Sequence, residues 1–150
     1  MSTPPYVLFI CVHNACRSMM AEAMFNHDPP AGWGARSAGT APSAAPHPRT
    51  APMLREIGLA LPAHPPRQLE PSEMVGAAFR ITMGCLDDAS CPARLKELPL
   101  RDWGLPDPSR MDDEGFRRVR DELVGLVEAL KREIRGHARE TDLGKGGTSS

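Results

Sequence analysis

The sequence predicts a three-layer α/β protein, in which a four-stranded parallel sheet is flanked by helices on both faces. Short apolar segments typical of buried strands alternate with helix-forming segments along the chain. Proline and glycine residues bound most of these segments. In sheets of this kind, ligands bind beyond the carboxyl ends of the strands. A functional site is therefore expected in the polar loops that follow the predicted strands.

Four strands are expected. The first is rich in β-forming residues and follows Pro4 and Pro5, so it is predicted to be buried. The second closes at a glycine–threonine step, and the fourth is short with the weakest pattern. The predicted strands cover residues 6–12, 34–38, 78–83 and 97–100.

Helix-forming segments separate these strands. Two successive prolines stop the first helix after residue 28. Thr50 is expected to cap the second helix, which Gly58 ends. In the longest helix, apolar residues recur at helical spacing until Gly136, where the helix is expected to end. The predicted helices cover residues 18–27, 50–57, a short turn at 73–76, and 112 or 113 to 136.

The chain is expected to form one domain. Its 150 residues suffice for a single hydrophobic core, and no internal repeat is visible. The last residues have no apolar face and are predicted to be disordered. We therefore expect a folded domain over residues 1–136 and a C-terminal tail over residues 137–150.

Composition argues against several classes of protein. The net charge is −1 and aromatic residues make up only 5%, which disfavours a nucleic-acid-binding surface. No apolar run approaches the roughly 20 residues of a membrane span. The N-terminal segment lacks the features of a signal peptide, so a cytoplasmic location is expected. In that compartment the four cysteines are expected to be thiols.

Residues 10–20, ICVHNACRSMM, carry the clearest functional signal. Cys11 ends the first strand and Arg17 begins the first helix, so the intervening loop can curl its backbone N–H groups around one anion. The arginine fork can grip two oxygens, and the local positive field is expected to lower the pKa of Cys11. Ser18 is expected to donate a hydrogen bond to the sulfur, and Asn14 tolerates the left-handed backbone that such a curl requires.

The residues alone leave other interpretations open. Cys11 is also compatible with a buried core thiol. A zinc site built from Cys11, His13 and Cys16 is a further alternative, although the usual ligand spacings are absent. The oxyanion-binding interpretation uses the whole loop and the start of the helix. Its predicted binding residues are Val12, His13, Asn14, Ala15, Cys16, Arg17 and Ser18.

The segment VLFICVHNACRSMMAEA resembles the signature loop of the low-molecular-weight protein tyrosine phosphatase-like family, and most closely its arsenate reductase branch. Met19 stands where that branch commonly has glutamine. Further similar motifs follow in order: RSAGT at 36–40, ITMGC at 81–85 and DWGLPDPS at 102–109. The resemblance covers about residues 6–135 and implies the fold of that family.

The resemblance also implies catalytic roles. Cys11 matches the nucleophile, Arg17 the arginine that binds the oxyanion, and Ser18 the residue that stabilises the thiolate. Asp107 matches the aspartate that serves phosphatase members as general acid and lies beside the oxyanion loop in reductases. Without the resemblance, Asp107 would be interpreted as a turn residue.

A reductase needs further sulfurs, and Cys85 and Cys91 lie in a polar loop after the third predicted strand. The resemblance implies a relay in which Cys11 attacks arsenate, Cys85 attacks Cys11 to release arsenite, and a final Cys85–Cys91 disulfide forms. An external thiol donor, expected to be thioredoxin, then regenerates the protein. Five residues separate the last two cysteines, a spacing between those of thioredoxin-coupled and mycothiol/glutaredoxin-coupled relatives, so either donor is compatible.

Several smaller expectations follow from the same resemblance. Cys16 either fills space or forms a protective disulfide with the nucleophile. A potassium ion is predicted at Asn14, Glu22 and Ser37, and no covalently bound cofactor is expected. The expected ligand is arsenate, with phosphate or sulfate as competing anions; a monomer without nucleic-acid or membrane partners is expected.

Two alternative functions remain open at this point. A tyrosine or small-molecule phosphatase would use Cys11, Arg17 and Asp107 and would not need the other two cysteines of the relay. A non-catalytic oxyanion- or zinc-binding regulator would keep its function after replacement of Cys11 by serine.

Overall fold

The computed structural model describes residues 4–84 and 99–149, with side chains as far as residue 137. Four strands form one parallel sheet in the order β2-β1-β3-β4. They are β1 (Tyr6–Cys11), β2 (Gly34–Gly39), β3 (Phe79–Thr82) and β4 (Arg101–Asp102). The predicted four-stranded parallel sheet is therefore confirmed. The carboxyl ends of β1 and β2 lie side by side, since Cys11 pairs with Gly39.

The helices cover both faces of the sheet. They are α1 (Arg17–His27), α2 (Thr50–Arg55), α3 (Pro71–Gly76) and α4 (Asp113–Ser149), with a 3-10 helix at Pro108–Arg110. Side chains of β1 alternate between two cores, as the period of a strand requires. Val7, Phe9 and Cys11 face the larger core with α1, α2 and α4, whereas Leu8 and Ile10 face the smaller core with α3. The three-layer arrangement is confirmed.

The fourth strand was predicted in the wrong place. It is Arg101–Asp102, not residues 97–100. Pro99 and Leu100 lie outside the strand, and residues 97 and 98 lie outside the described part of the chain. Both residues of β4 are exposed at the edge of the sheet, so no apolar pattern marks them.

The end of the longest helix also differs from the prediction. Helix α4 continues through Gly136 to Ser149. A glycine inside a helix costs only about 1 kcal/mol relative to alanine, and no proline follows to stop the helix. The division into a domain of residues 1–136 and a separate tail of residues 137–150 stays a prediction. Among the described residues, no helix is long and apolar enough to cross a membrane.

A buried lysine joins the first and last helices. Lys131 is only 2% exposed, and its Nζ donates to the carbonyl of Met24 at 2.8 Å. Nζ also lies 6.0 Å from the ring centre of Phe25. Met24 is in the last turn of α1, where carbonyls have no partner within the helix and a positive charge is favourable.

Replacing Lys131 with alanine is expected to lower the free energy of unfolding by about 2–4 kcal/mol, because packing is lost and a buried carbonyl is left unpaired. Chemical denaturation measures this change. Replacement of the adjacent exposed Arg132 with alanine is the control, with an expected change within about 0.5 kcal/mol. Equal effects at the two positions would contradict a stabilising role for the buried lysine.

Candidate functional site

In the loop between β1 and α1, the backbone carbonyls point outward and accept hydrogen bonds from the segment that follows β2. Because the N–H and C=O of a peptide point in opposite directions, the N–H groups that follow these carbonyls point toward the inside of the loop. Such converging N–H groups form an anion-binding concavity. The outward bonds run from the amides of Thr40, Ala41, Ser43 and His47 to the carbonyls of Cys11, Val12, His13 and Ala15, respectively, at 3.2, 2.8, 2.9 and 3.0 Å.

Cys11 lies at the base of this loop and is buried. Its sulfur is the centre of a small hydrogen-bond network. It accepts a hydrogen bond from the backbone N–H of Asn14 at 3.1 Å, and Ser18 Oγ lies 2.8 Å away. Asn14 Nδ2 donates to the same Oγ at 2.8 Å, so the serine proton is left to point at the sulfur. Two donors therefore face Cys11 Sγ, and both stabilise negative charge on it.

Asn14 holds this network in place. Its φ of 50° confirms the predicted left-handed backbone. Its side-chain oxygen accepts from the backbone N–H of Arg67 at 2.9 Å, which fixes the orientation of the amide group. The chain of hydrogen bonds thus runs from Arg67 through Asn14 and Ser18 to Cys11.

Gly39, at the end of β2, allows the loop to approach the sheet closely. A Cβ atom at this position would lie 2.5 Å from the carbonyl oxygen of Val12 and 3.0 Å from the backbone nitrogen of Asn14. Any larger residue would displace the loop. This contact gives the RSAGT motif a physical role in shaping the site.

Arg17 is the first residue of α1 and is 5% exposed. Its Nη1 donates to the carbonyls of Met83 and Leu105, at 3.0 and 2.6 Å. These bonds tie the end of β3 and the loop after β4 to the start of α1. Its Nε is buried and has no hydrogen-bond partner in the part of the chain that the structure describes. A buried guanidinium N–H without an acceptor is suited to binding an anion.

The loop between β1 and α1, residues 11–17, is called the oxyanion loop below. Asp107 lies beside it, just before the 3-10 helix. Its Oδ1 accepts from the backbone N–H of Ser109 at 3.0 Å. Partial burial by itself raises the pKa of Asp107. The hydrogen bonds from Ser109 and the nearby charges of Arg17 and His13 outweigh burial and hold this pKa below its ordinary value. Asp107 is therefore a carboxylate at neutral pH.

Cys16 differs chemically from Cys11 although both belong to the loop. Burial, together with the neighbouring Asp107 and Cys11, raises the pKa of the Cys16 thiol to about 12. Its Sγ lies 4.0 Å from Asp107 Oδ1, in the geometry of a weak S–H donor. The thiol is protonated at neutral pH, which favours the predicted space-filling role over a redox role.

Cys11, Cys16, Arg17 and Asp107 line one cleft of about 270 Å³. The proline-rich loop also lines this cleft, through Ser43, Ala45, Pro46, His47 and Pro48. Among the described residues, no phenylalanine, tyrosine or tryptophan lines this cleft.

Cys85 and Cys91 lie outside the described residues. Met83 and Gly84, which precede Cys85, are described. Met83 contacts Arg17, and Gly84 packs against the backbone of Gly104, where an added Cβ would lie 2.7 Å from Cα. The chain thus enters the cysteine-containing segment beside the oxyanion site.

The three residues predicted to bind potassium are buried together. Ser37 Oγ donates to Glu22 Oε1 at 2.8 Å, and His64 Nε2 lies 2.9 Å from both carboxylate oxygens. The side-chain oxygen of Asn14 is bonded to Arg67. The potassium site stays a prediction, and in this structure His64 occupies one side of the Glu22 carboxylate.

The zinc alternative receives no support from the described residues. In residues 4–84 and 99–137, no three His, Cys, Asp or Glu side chains are grouped as a metal site. His13 instead places Nδ1 3.3 Å from the carbonyl of Ala41.

The sequence did not reveal several residues that shape the site. Thr50 was predicted as an N-cap, but its hydroxyl donates to the carbonyl of Ala15 at 2.9 Å, and Arg49 occupies the cap position. Arg67 and His64 lie in a proline-rich loop without helical or strand periodicity, so no local pattern marks them. The nearest signal was the RSAGT motif, whose last strand residue Gly39 donates its N–H to the Arg67 carbonyl at 2.8 Å.

Comparison with known proteins agrees with this geometry. The family model for low molecular weight phosphotyrosine protein phosphatase matches residues 6–140. The chain belongs to this family. It is 28% identical over 128 residues to arsenate reductase 1 of Staphylococcus epidermidis, which covers 85% of this chain and 96% of that protein.

Solved structures of this family are similar as well. A thioredoxin-dependent arsenate reductase of Corynebacterium glutamicum superposes with a TM-score of 0.72 at 33% identity. That match covers 89% of this chain but only 63% of the other chain's length. An arsenate reductase from Archaeoglobus fulgidus has a TM-score of 0.68 at 30% identity, covering 83% of this chain and 97% of that one.

Proposed function

We propose that this protein is an enzyme that reduces arsenate to arsenite and so takes part in arsenic detoxification. The observation that carries the proposal is the oxyanion loop. Its backbone N–H groups converge beside Cys11, whose sulfur faces two hydrogen-bond donors, and the neighbouring Arg17 has a buried Nε without an acceptor among the described residues. Such a site binds a tetrahedral oxyanion and presents a nucleophilic sulfur to it. The similarity to arsenate reductases from three organisms supports this substrate.

The proposed reaction begins at Cys11. Its thiolate attacks the arsenic of bound arsenate, an S–As bond forms, and one arsenate oxygen leaves as water after taking up protons. Arg17 and the loop amides neutralise the oxyanion during this step. Asn14 and Ser18 hold the sulfur in position through their hydrogen bonds.

Two further cysteines complete the electron transfer. The thiolate of Cys85 attacks the Cys11 sulfur, the S–As bond breaks, and its electron pair reduces arsenic to arsenite. Cys91 then attacks Cys85, which frees Cys11 and leaves a Cys85–Cys91 disulfide. One arsenate and two thiols thus give arsenite, water and one disulfide. The roles of Cys85 and Cys91 rest on the sequence.

The proposed reductant is thioredoxin, which supplies two electrons to the final disulfide. The name of the Corynebacterium relative supports this donor. The spacing between Cys85 and Cys91 keeps a mycothiol/glutaredoxin-type donor as the alternative. A cytoplasmic, monomeric protein without a bound cofactor is part of the same proposal, and phosphate or sulfate would compete for the oxyanion loop.

Arsenite formation with thioredoxin, thioredoxin reductase and NADPH tests the relay. Wild type is expected to turn over repeatedly, whereas Cys91→Ser is expected to stop after about one turnover, because its disulfide cannot move away from Cys11. If wild type is inactive with thioredoxin but active with mycothiol, or with glutathione and a glutaredoxin, the relay stands and only the proposed donor changes. Repeated turnover by Cys91→Ser would remove the third cysteine from the mechanism.

The alternative function, phosphatase activity, is favoured by the position of Asp107 beside the cleft. A phosphatase needs this residue as a protonated acid, yet its pKa is lowered. We therefore expect hydrolysis of p-nitrophenyl phosphate to be weak at neutral pH and to rise by up to about tenfold per pH unit as pH falls toward 5, in step with the protonated fraction of Asp107. Steady-state rates from pH 8 to 5 measure this change. Asp107→Asn should remove the rise, and a rate that is highest at pH 8 would contradict the assignment.

A further inference from the structure

We infer that Arg49 is a positioning residue that fixes the Asp107 carboxylate beside the oxyanion loop. The inference rests on the alternative activity in Proposed function, phosphate-ester hydrolysis, which uses Asp107 as its acid. Arg49 has no part in the motifs that define the site, and it contacts backbone carbonyls next to Asp107, not the carboxylate. Its guanidinium Nη2 donates to the carbonyl of Ser109 at 3.0 Å and lies 3.4 Å from that of Pro108.

Ser109 connects Arg49 to Asp107. The N–H of Ser109 donates to Asp107 Oδ1 at 3.0 Å, while its carbonyl accepts from Arg49. The residue is therefore held on both sides of its backbone. A displacement of Ser109 would move or release the carboxylate, so the arginine acts on Asp107 through this residue.

Asp107 needs such a restraint because it is exposed and receives little support from packing. On its N-terminal side, the carbonyl of Leu105 is bound by Arg17. On its C-terminal side, the corresponding bonds come from Arg49. Two arginine–carbonyl anchors thus bracket Asp107, and the first of them belongs to the oxyanion site itself.

Arg49 is itself attached to the oxyanion loop. Its backbone N–H donates to His47 Nδ1 at 3.2 Å, and the N–H of His47 donates to the carbonyl of Ala15 at 3.0 Å. Its guanidinium lies 4.9 Å from the ring centre of the fully buried Phe116. This support limits the movement of a long side chain. Arg49 therefore sets the spacing between Asp107 and the loop that binds the anion.

A simpler role for Arg49 is a surface ion pair. Its Nη1 lies 3.2 Å from Asp113 Oδ1, at the start of α4. Exposed pairs of this kind contribute little to stability. Asp113→Asn removes the ion pair and leaves both carbonyl contacts possible, so it is the matched control for Arg49→Met.

The decisive experiment is a double-mutant cycle between Arg49→Met and Asp107→Asn. The readout is kcat for p-nitrophenyl phosphate hydrolysis at pH 5, the reaction in which Asp107 acts as an acid. Arg49→Met is expected to lower kcat about tenfold or more when Asp107 is present, since a displaced catalytic group is costly. In the Asp107→Asn background the same change should have an effect below about twofold. Asp113→Asn should stay within about twofold of wild type.

A second readout does not depend on this reaction. The carboxyl pKa of Asp107, followed by NMR titration, is expected to rise toward 3.8 in Arg49→Met, because the bond from Ser109 is weakened. It should not change in this way in Asp113→Asn. Equal losses in both backgrounds, an equal effect of Asp113→Asn, or an unchanged Asp107 pKa would overturn the positioning role. If wild type does not reduce arsenate but Arg49→Met still raises the Asp107 pKa, the proposed function is refuted and the inference is not.

Discussion

Replacing Cys11 with serine is expected to abolish arsenate reduction and to leave oxyanion binding in place. The serine hydroxyl is not ionised at neutral pH and cannot form the disulfide that the relay requires, so the expected loss is at least about 1000-fold. The groups that bind the anion, which are the loop amides and Arg17, are unchanged. Arsenite formation measures the first effect, and calorimetric titration with phosphate measures the second.

Cys16→Ser provides a chemically matched comparison five residues further along the chain. The same atom is exchanged, but the Cys16 thiol is protonated because its pKa is about 12. Its replacement is expected to lower the rate less than about tenfold, since only its amide faces the anion. A Cys11→Ser protein that retained its function would instead support the non-catalytic regulator. Equal losses at both positions would mean that the two sulfurs share the chemistry.

The sequence could predict those site residues that are close together along the chain. Cys11, Asn14, Arg17 and Ser18 occur within eight residues, and the constraint of a strand followed by a helix places them around one loop. The left-handed backbone of Asn14 and the position of Ser18 next to the Cys11 sulfur follow from that local geometry. The same reasoning predicted the parallel sheet, because burial of β1 on both faces leaves a continuous apolar run.

The rest of the site depends on contacts between distant segments. Arg67 reaches Asn14 across 53 positions of sequence, and Arg49 reaches Ser109 across 60. Both arginines lie in or beside proline-rich segments that have no period from which a direction can be inferred. Arg67 acts through its backbone N–H, and the guanidinium of Arg49 contacts backbone carbonyls. Every residue possesses these backbone groups, so residue type does not identify which segments meet.

Elements at the edge were also difficult to predict, for a different reason. Strand β4 has two exposed charged residues, and its stability comes from neighbours outside the strand. The guanidinium of Arg101 lies 4.7 Å from the ring centre of Phe79 and forms an ion pair with Glu133 at 2.6 Å. These contacts join residues that are distant in the sequence and leave no apolar pattern. The strand was therefore predicted at residues 97–100.

The second large effect is expected from Arg17→Lys. Lysine keeps the positive charge but offers a single nitrogen in place of a planar fork. One nitrogen cannot bond to the carbonyls of Met83 and Leu105 and also face the anion, as the Nη1 and Nε groups of arginine can. We expect kcat/KM for arsenate to fall about 100- to 1000-fold, the usual cost of losing an oxyanion-binding donor.

Thermal unfolding separates the loss of anion binding from a loss of structure. Phosphate should raise the Tm of wild type, because it binds only the folded protein, and should raise that of Arg17→Lys much less. Arg117→Lys is the control, since Arg117 is exposed and pairs with Glu56 away from the cleft. An Arg17→Lys protein that is stabilised by phosphate like wild type would show that the loop amides alone hold the anion. The buried Nε of Arg17 would then need another acceptor, and the main structural argument for an oxyanion site would rest on the loop and not on its arginine.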